Sequence, residues 1–110
     1  MATQMSIRLE KPWRPVADAG ALPGQLGVFQ LADAAGEVIY IGAAGGKTLF
    51  GLRSEVTERA AATDAVSFRA EVTTAYHTRR LELLMVHRSD HGKLPEHNQA
   101  DQVPGRLSPA

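Results

Sequence analysis

Two β-rich segments separated by a short turn constrain this chain more than any other feature. Leu26–Ala32 (LGVFQLA) and Glu37–Ala43 (EVIYIGA) concentrate Val, Ile, Phe and Tyr. Asp33-Ala34-Ala35-Gly36 between them has the composition of a hairpin loop. β-branched and aromatic side chains at this density pack well only on a pleated, half-buried surface. A lone hairpin is marginal in water, so the rest of the chain must supply its cover. Pairing Ala32 with Glu37 across the loop sets Phe29 opposite Tyr40 and Val28 opposite Ile41. Directly opposed residues share a face, so the two rings are expected side by side.

The cover is legible downstream. Gly45-Gly46 ends the second strand. Lys47–Ala61 then carries Leu49, Leu52, Val56 and Ala60 at helical spacing, with Thr48 as the expected N-cap and Arg53 bordering the apolar stripe. Ala65–Thr74 alternates Val66, Phe68, Ala70 and Val72 with polar residues, the pattern of a half-buried third strand. Tyr76–Ser89 reads as a second helix stopped by Gly92 and Pro95. The expected fold is α+β: a small three-stranded antiparallel or mixed sheet flanked by helices, in the order β-β-α-β-α. Residues 1–25, punctuated by Pro12, Pro15, Gly20, Pro23 and Gly24, read as an irregular lead-in in which Ser6–Leu9 could form a short edge strand. The ordered domain is expected over 26–98, with a polar tail over 99–110.

A chain of 110 residues supports one core. Twelve basic residues balance twelve acidic ones, so bulk charge gives no argument for nucleic-acid binding. The absence of cysteine excludes disulfides, thiolate nucleophiles and Cys-ligated zinc. No apolar run approaches the roughly 20 residues that span a bilayer, and Met1–Lys11 has no signal-peptide core. The expectation is a cytoplasmic protein with no membrane association.

Glu82 stands out because it lies inside Leu81-Glu82-Leu83-Leu84-Met85-Val86. A carboxylate there needs a cation or a metal, and Arg79, three residues earlier, is the simplest partner. Four histidines crowd the C-terminal third, and His87 and His91 are one helical turn apart if the second helix runs on past Ser89. No glutamate completes an HExxH zinc motif, so two solvated histidines near a helix C-terminus are the simpler reading. Gly42-Ala43-Ala44-Gly45-Gly46-Lys47-Thr48 is one residue short of a phosphate-binding loop.

Taken in order, Gly27-Val28-Phe29, Tyr40-Ile41-Gly42, Arg53, Glu82 and Pro95-Glu96-His97-Asn98 resemble the landmarks of the GIY-YIG nuclease superfamily, as does the β-β-α-β-α order. The resemblance implies metal-dependent hydrolysis of phosphodiester bonds in DNA. Glu82 would hold one Mg²⁺ (or Mn²⁺), Tyr40 would help activate the attacking water, and Arg53 would bind the scissile phosphate. Asn98 would brace the site, with Phe29, Lys47 and His77 in support. The first motif carries Phe29 where the family usually carries tyrosine, and Ala43 and Ala44 stand where it often carries lysine. A neutral chain would hold DNA weakly unless a partner protein or a homodimer adds affinity. The alternative is a catalytically degraded domain that binds nucleic acid or protein.

Overall fold

One strand is buried along its whole length, and the fold is arranged around it. The computed structural model describes residues 8–46 and 50–101. Its strands are β1 (Arg14–Pro15), β2 (Gly27–Ala32), β3 (Val38–Ala44) and β4 (Ser67–Val72), and its α-helices are α1 (Gly51–Ala61) and α2 (Tyr76–His91). Single 3-10 segments cover Val16–Ala21 and Glu96–Asn98. Every pairing is antiparallel, in the order β1-β4-β2-β3. The α+β class is as expected. The sheet has four strands rather than three, because Arg14 and Pro15 pair with Phe68 and Ser67. Two residues, one of them proline, carry no alternation from which a strand could be read.

Every residue of β2 is buried. Phe29 and Leu31 face one way, into a core with Leu52 and Val56 of α1, Phe68 of β4 and Ala19 and Leu22 of the lead-in. Val28 faces the other way, into a second core with Ile41, Leu83 and Leu84 of α2, and Leu9. Period-two alternation on a central strand thus feeds two cores at once. Gln30 is the polar exception on β2, and its Oε1 accepts a 2.7 Å hydrogen bond from Arg69 Nε.

The hairpin register differs from the expected one. Asp33 N–H donates to the Glu37 carbonyl, and the Asp33 carboxylate accepts from the amides of Ala35 and Glu37. The turn is therefore closed by Asp33 and Glu37, with Gly36 at φ 83°. A second slip follows at Ile39, where the register shifts between Leu31 and Ala32. Leu31 consequently lies opposite Tyr40, and Phe29 opposite Gly42. Two one-residue slips add to two, so Tyr40 to Ala43 keep their expected faces, while between the slips Val38 turns to the Val28 core and Ile39 to the Phe29 core. Phe29 and Tyr40 remain neighbours on a diagonal, with ring centroids 5.8 Å apart.

The lead-in is a strap. Leu9 is buried against α2, and Arg8 forms a bidentate ion pair with Asp90 near its C-terminus. Arg14–Pro15 then crosses the edge of β4, and Val16–Ala21 lies over the opposite face. Ser6 and Ile7 of the expected edge strand lie outside the described residues, and Leu9 is in no strand. On β4, Phe68 is buried and Ala70 half-buried, but Val72 at its end and Val66 just before it are exposed because α1 packs over β2 and β3.

The expected start of α1 at Lys47–Leu49, including the Thr48 cap, falls outside the described residues. The helix begins at Gly51, preceded by Phe50 without a side-chain cap. α2 runs two residues past its expected end, to His91, and stops at Gly92 in the left-handed conformation. Gly51 sits at φ 56°, and a Cβ there would run into the backbone of Gln25, whose nitrogen would be 2.7 Å away. Gly51→Ala is expected to lower stability by about 2–4 kcal/mol through left-handed strain and this clash. A urea titration beside Gly20→Ala, where a Cβ meets open space, checks it; equal midpoints for the two variants would refute the assignment.

Candidate functional site

Tyr40 lies on the α1 face of β3, half-buried against the core that holds Phe29. A methyl group at Gly42 would stand 2.5 Å from Tyr40 Cε2 and 2.7 Å from Phe29 Cζ. The glycine therefore leaves the space in which the two rings meet. Above the tyrosine ring, the guanidinium of Arg59 sits 5.5 Å from the centroid. Arg59 was not among the expected site residues. Its signal was its position three residues after the buried Val56, on the flank of the apolar stripe.

Arg53 occupies the other flank of that stripe. Its Nε donates to the Leu22 carbonyl at 3.0 Å, and its guanidinium lies 5.9 Å from the exposed Phe50 ring. At 100° per residue, Arg53 and Arg59 point about 120° apart around α1. The arginine over Tyr40 is thus Arg59, not Arg53.

Glu82 lies on the opposite side of the sheet. α2 packs on the face that contains Val28 and Ile41, presenting Leu83 and Leu84 to it. Glu82 is one step off that apolar stripe, on the β4 flank. Its Oε1 accepts from Arg79 Nη1 at 3.3 Å. Arg79 also donates to both carboxylate oxygens of Glu71 and to the Arg8 carbonyl. The i,i+3 partner suggested by spacing is the one realised. These groups line a groove of about 420 Å³ together with Glu10, Lys11 and Thr78. Tyr40, Arg53 and Glu82 are therefore not gathered around one point. The reason is phase: strand alternation sends Tyr40 to the α1 face, while Glu82 belongs to the helix on the other. His77 is exposed in the first turn of α2, and Lys47 lies outside the described residues.

Asn98 is fully buried beside β3. Its Oδ1 accepts from the Ile41 amide at 2.8 Å, and its Nδ2 donates to the Ile41 carbonyl at 3.0 Å. One side-chain amide so occupies both outward-facing backbone groups of Ile41, the residue after Tyr40. Asp101 accepts from Asn98 Nδ2 at 2.6 Å and from Arg80 at 2.7 Å, which fixes the amide's orientation.

The model of a domain of unknown function, DUF7508, matches residues 7–90. The chain belongs to that family. No curated protein matches it. The DUF7508 match contains Tyr40, Arg53 and Glu82, and it ends before Asn98.

In the DUF7508 chain the carboxylate expected to hold Mg²⁺, that of Glu82, pairs with Arg79. Magnesium demands near-octahedral oxygen ligation, usually including carboxylates and several waters. Glu82 and Glu71 share Arg79 instead, and among the described residues no three His, Cys, Asp or Glu side chains are grouped to hold a metal. What the arrangement offers is a half-buried tyrosine with a cation above its ring on one face, and a mixed-charge groove on the other.

The Asn98 clamp makes a sharp prediction. Asn98→Ala leaves the Ile41 amide and carbonyl without their partner and is expected to cost about 2–4 kcal/mol. Asn98→Asp keeps the acceptor but loses the donor and sets a carboxylate against Asp101, so it should be no less damaging than alanine. Denaturant unfolding of both variants decides it; a loss below about 0.5 kcal/mol in each would refute the clamp.

Proposed function

We propose that this chain is a catalytically degraded GIY-YIG-like domain that binds nucleic acid without cleaving it. The ordered landmarks from Gly27-Val28-Phe29 to Asn98 support the scaffold, as does the run β2, β3, α1, β4, α2. The observation that carries the loss of catalysis is the separation of Tyr40 from Glu82 by the sheet, with the Glu82 carboxylate held by Arg79. Phe29 in place of the first motif's tyrosine points the same way. For contact with nucleic acid, α1 offers the exposed cations Arg53 and Arg59, and the Phe50 ring beside Arg53 is 52% exposed. An exposed ring beside arginine suits base stacking and phosphate contact, which single strands satisfy most easily. With no net charge on the chain, such binding is weak and falls with salt.

The competing reading, a Mg²⁺-dependent DNA endonuclease, is favoured by one observation: Tyr40, Arg53 and Glu82 are all present in the family's order. One experiment separates the two. The protein is incubated with supercoiled plasmid and Mg²⁺ or Mn²⁺. In parallel, its binding to a labelled single-stranded oligonucleotide is titrated from about 50 to about 200 mM salt. The expected result is no nicking, with salt-sensitive binding weakened severalfold in Arg53→Ala and Phe50→Ala. Metal-dependent nicking that disappears in Glu82→Ala and Arg53→Ala would establish the nuclease. Absence of binding even at the lowest salt would overturn the nucleic-acid reading.

A further inference from the structure

A cavity of about 500 Å³ opens between the β2–β3 turn, the last turns of α2 and the segment that returns after Gly92, and neither Tyr40, Arg53 nor Glu82 lines it. His87 and His91, one turn apart on α2, enter it with ring centroids 4.4 Å apart and ring planes inclined by 34°. His87 is half-buried, and its Nδ1 lies 3.0 Å from the Lys93 carbonyl. A carbonyl only accepts, so that nitrogen carries the proton and the neutral ring keeps its lone pair on Nε2. One imidazole of the pair is thus held in tautomer and orientation, unlike the two solvated rings expected from the sequence. Asp33, Glu37 and Glu96 line the same cavity, against the one ammonium of Lys93 among the lining residues. A cation entering there meets a net negative field.

We propose that His87 and His91 chelate one late divalent transition-metal ion, of the class of Zn²⁺, Ni²⁺ and Cu²⁺, with His87 binding through Nε2. Histidines at i and i+4 project from one face of a helix, the spacing by which two imidazoles reach one metal. A hydrogen bond from Nδ1 to a backbone carbonyl is the outer support that sets the tautomer of a ligating histidine and aims its other nitrogen. The donors are imidazoles, which suit these ions, whereas Mg²⁺ requires oxygen ligands. Among the described residues no three His, Cys, Asp or Glu side chains are grouped, so the protein supplies two ligands and water completes the coordination. The site is therefore open, and weaker than a closed four-ligand zinc centre. It is separate from the Mg²⁺ implied at Glu82, and it stands whether or not the α1 face binds nucleic acid. Only a helical 87–91 segment brings the two rings together, so bound metal stabilises the last turn of α2.

The test titrates Zn²⁺, and in parallel Mg²⁺, into the full chain without an added histidine tag at about pH 7.5, where free imidazoles are neutral. Calorimetry gives the stoichiometry and affinity, and histidine-ring NMR locates the ion. The expected result is one Zn²⁺ per chain, with the His87 and His91 ring signals shifted and those of His77 and His97 unmoved. Mg²⁺ should move neither ring of the pair. His87→Gln and His91→Gln should each weaken Zn²⁺ binding by at least about tenfold, the cost of losing outer support alone. His77→Gln should leave it unchanged. The ring signals of the unaltered chain decide the matter if a glutamine variant folds poorly. Zn²⁺ uptake that leaves either ring of the pair unmoved overturns the site. So does affinity undiminished in both glutamine variants, or no uptake at about 1 mM Zn²⁺, where even weak specific binding registers.

Discussion

Burial of β2 on both faces is the constraint on which the rest depends. A strand with Val28 on one side and Phe29 and Leu31 on the other cannot be stabilised by a single layer. Removing both sets of side chains from water requires an element above and another below. α1 with the Val16–Ala21 turn covers one face, and α2 with Leu9 covers the other. Because one sheet separates these covers, residues that follow one another along the chain are delivered to opposite sides. The lead-in joins the two: it is anchored to α2 by Leu9 and the Arg8–Asp90 pair before it passes the edge of β4.

The same division governs the chemistry. Tyr40 shares its face with Phe29 and Arg59, whereas Glu82 shares its surroundings with Arg79 and Glu71. Each group finds local partners that satisfy it. Arg79 is only 12% exposed and braces two carboxylates and a carbonyl, so α2, β4 and the strap are tied through one guanidinium. Its planar fork permits such multiple donation, which lysine cannot reproduce. The Glu82 carboxylate that appeared anomalous in an apolar run is thus accounted for by an electrostatic junction.

Much of this architecture was legible in the residues, and the failures have definite causes. Val, Ile, Phe and Tyr marked β2 and β3, and Gly92 marked the end of α2. The shared face of Phe29 and Tyr40 could be read because a period of two survives any even error in register. The register itself could not, because the Asp33–Glu37 closure and the bulge at Ile39 depend on side-chain and sheet-twist details that alternation does not encode. β1 is too short to show a period. The separation of the expected site residues escaped notice because sequence order says nothing about which side of a sheet a later helix covers. Arg59 and Asp101 were missed for a related reason: each gains meaning from a partner distant in the chain, Tyr40 in one case and Arg80 in the other.

The Asn98 clamp has a consequence for how the molecule behaves among its own copies. Outer strands of open sheets can template a neighbour, and repeated templating builds filaments. On β3 the outward amide and carbonyl of Ile41 are already consumed by a primary amide that mimics one residue of an adjoining chain. Since an asparagine side chain ends there, it offers no onward backbone for the ladder to grow. A single residue thereby blocks the outer edge of β3 at Ile41, and its loss would open that point of the edge to pairing with another strand.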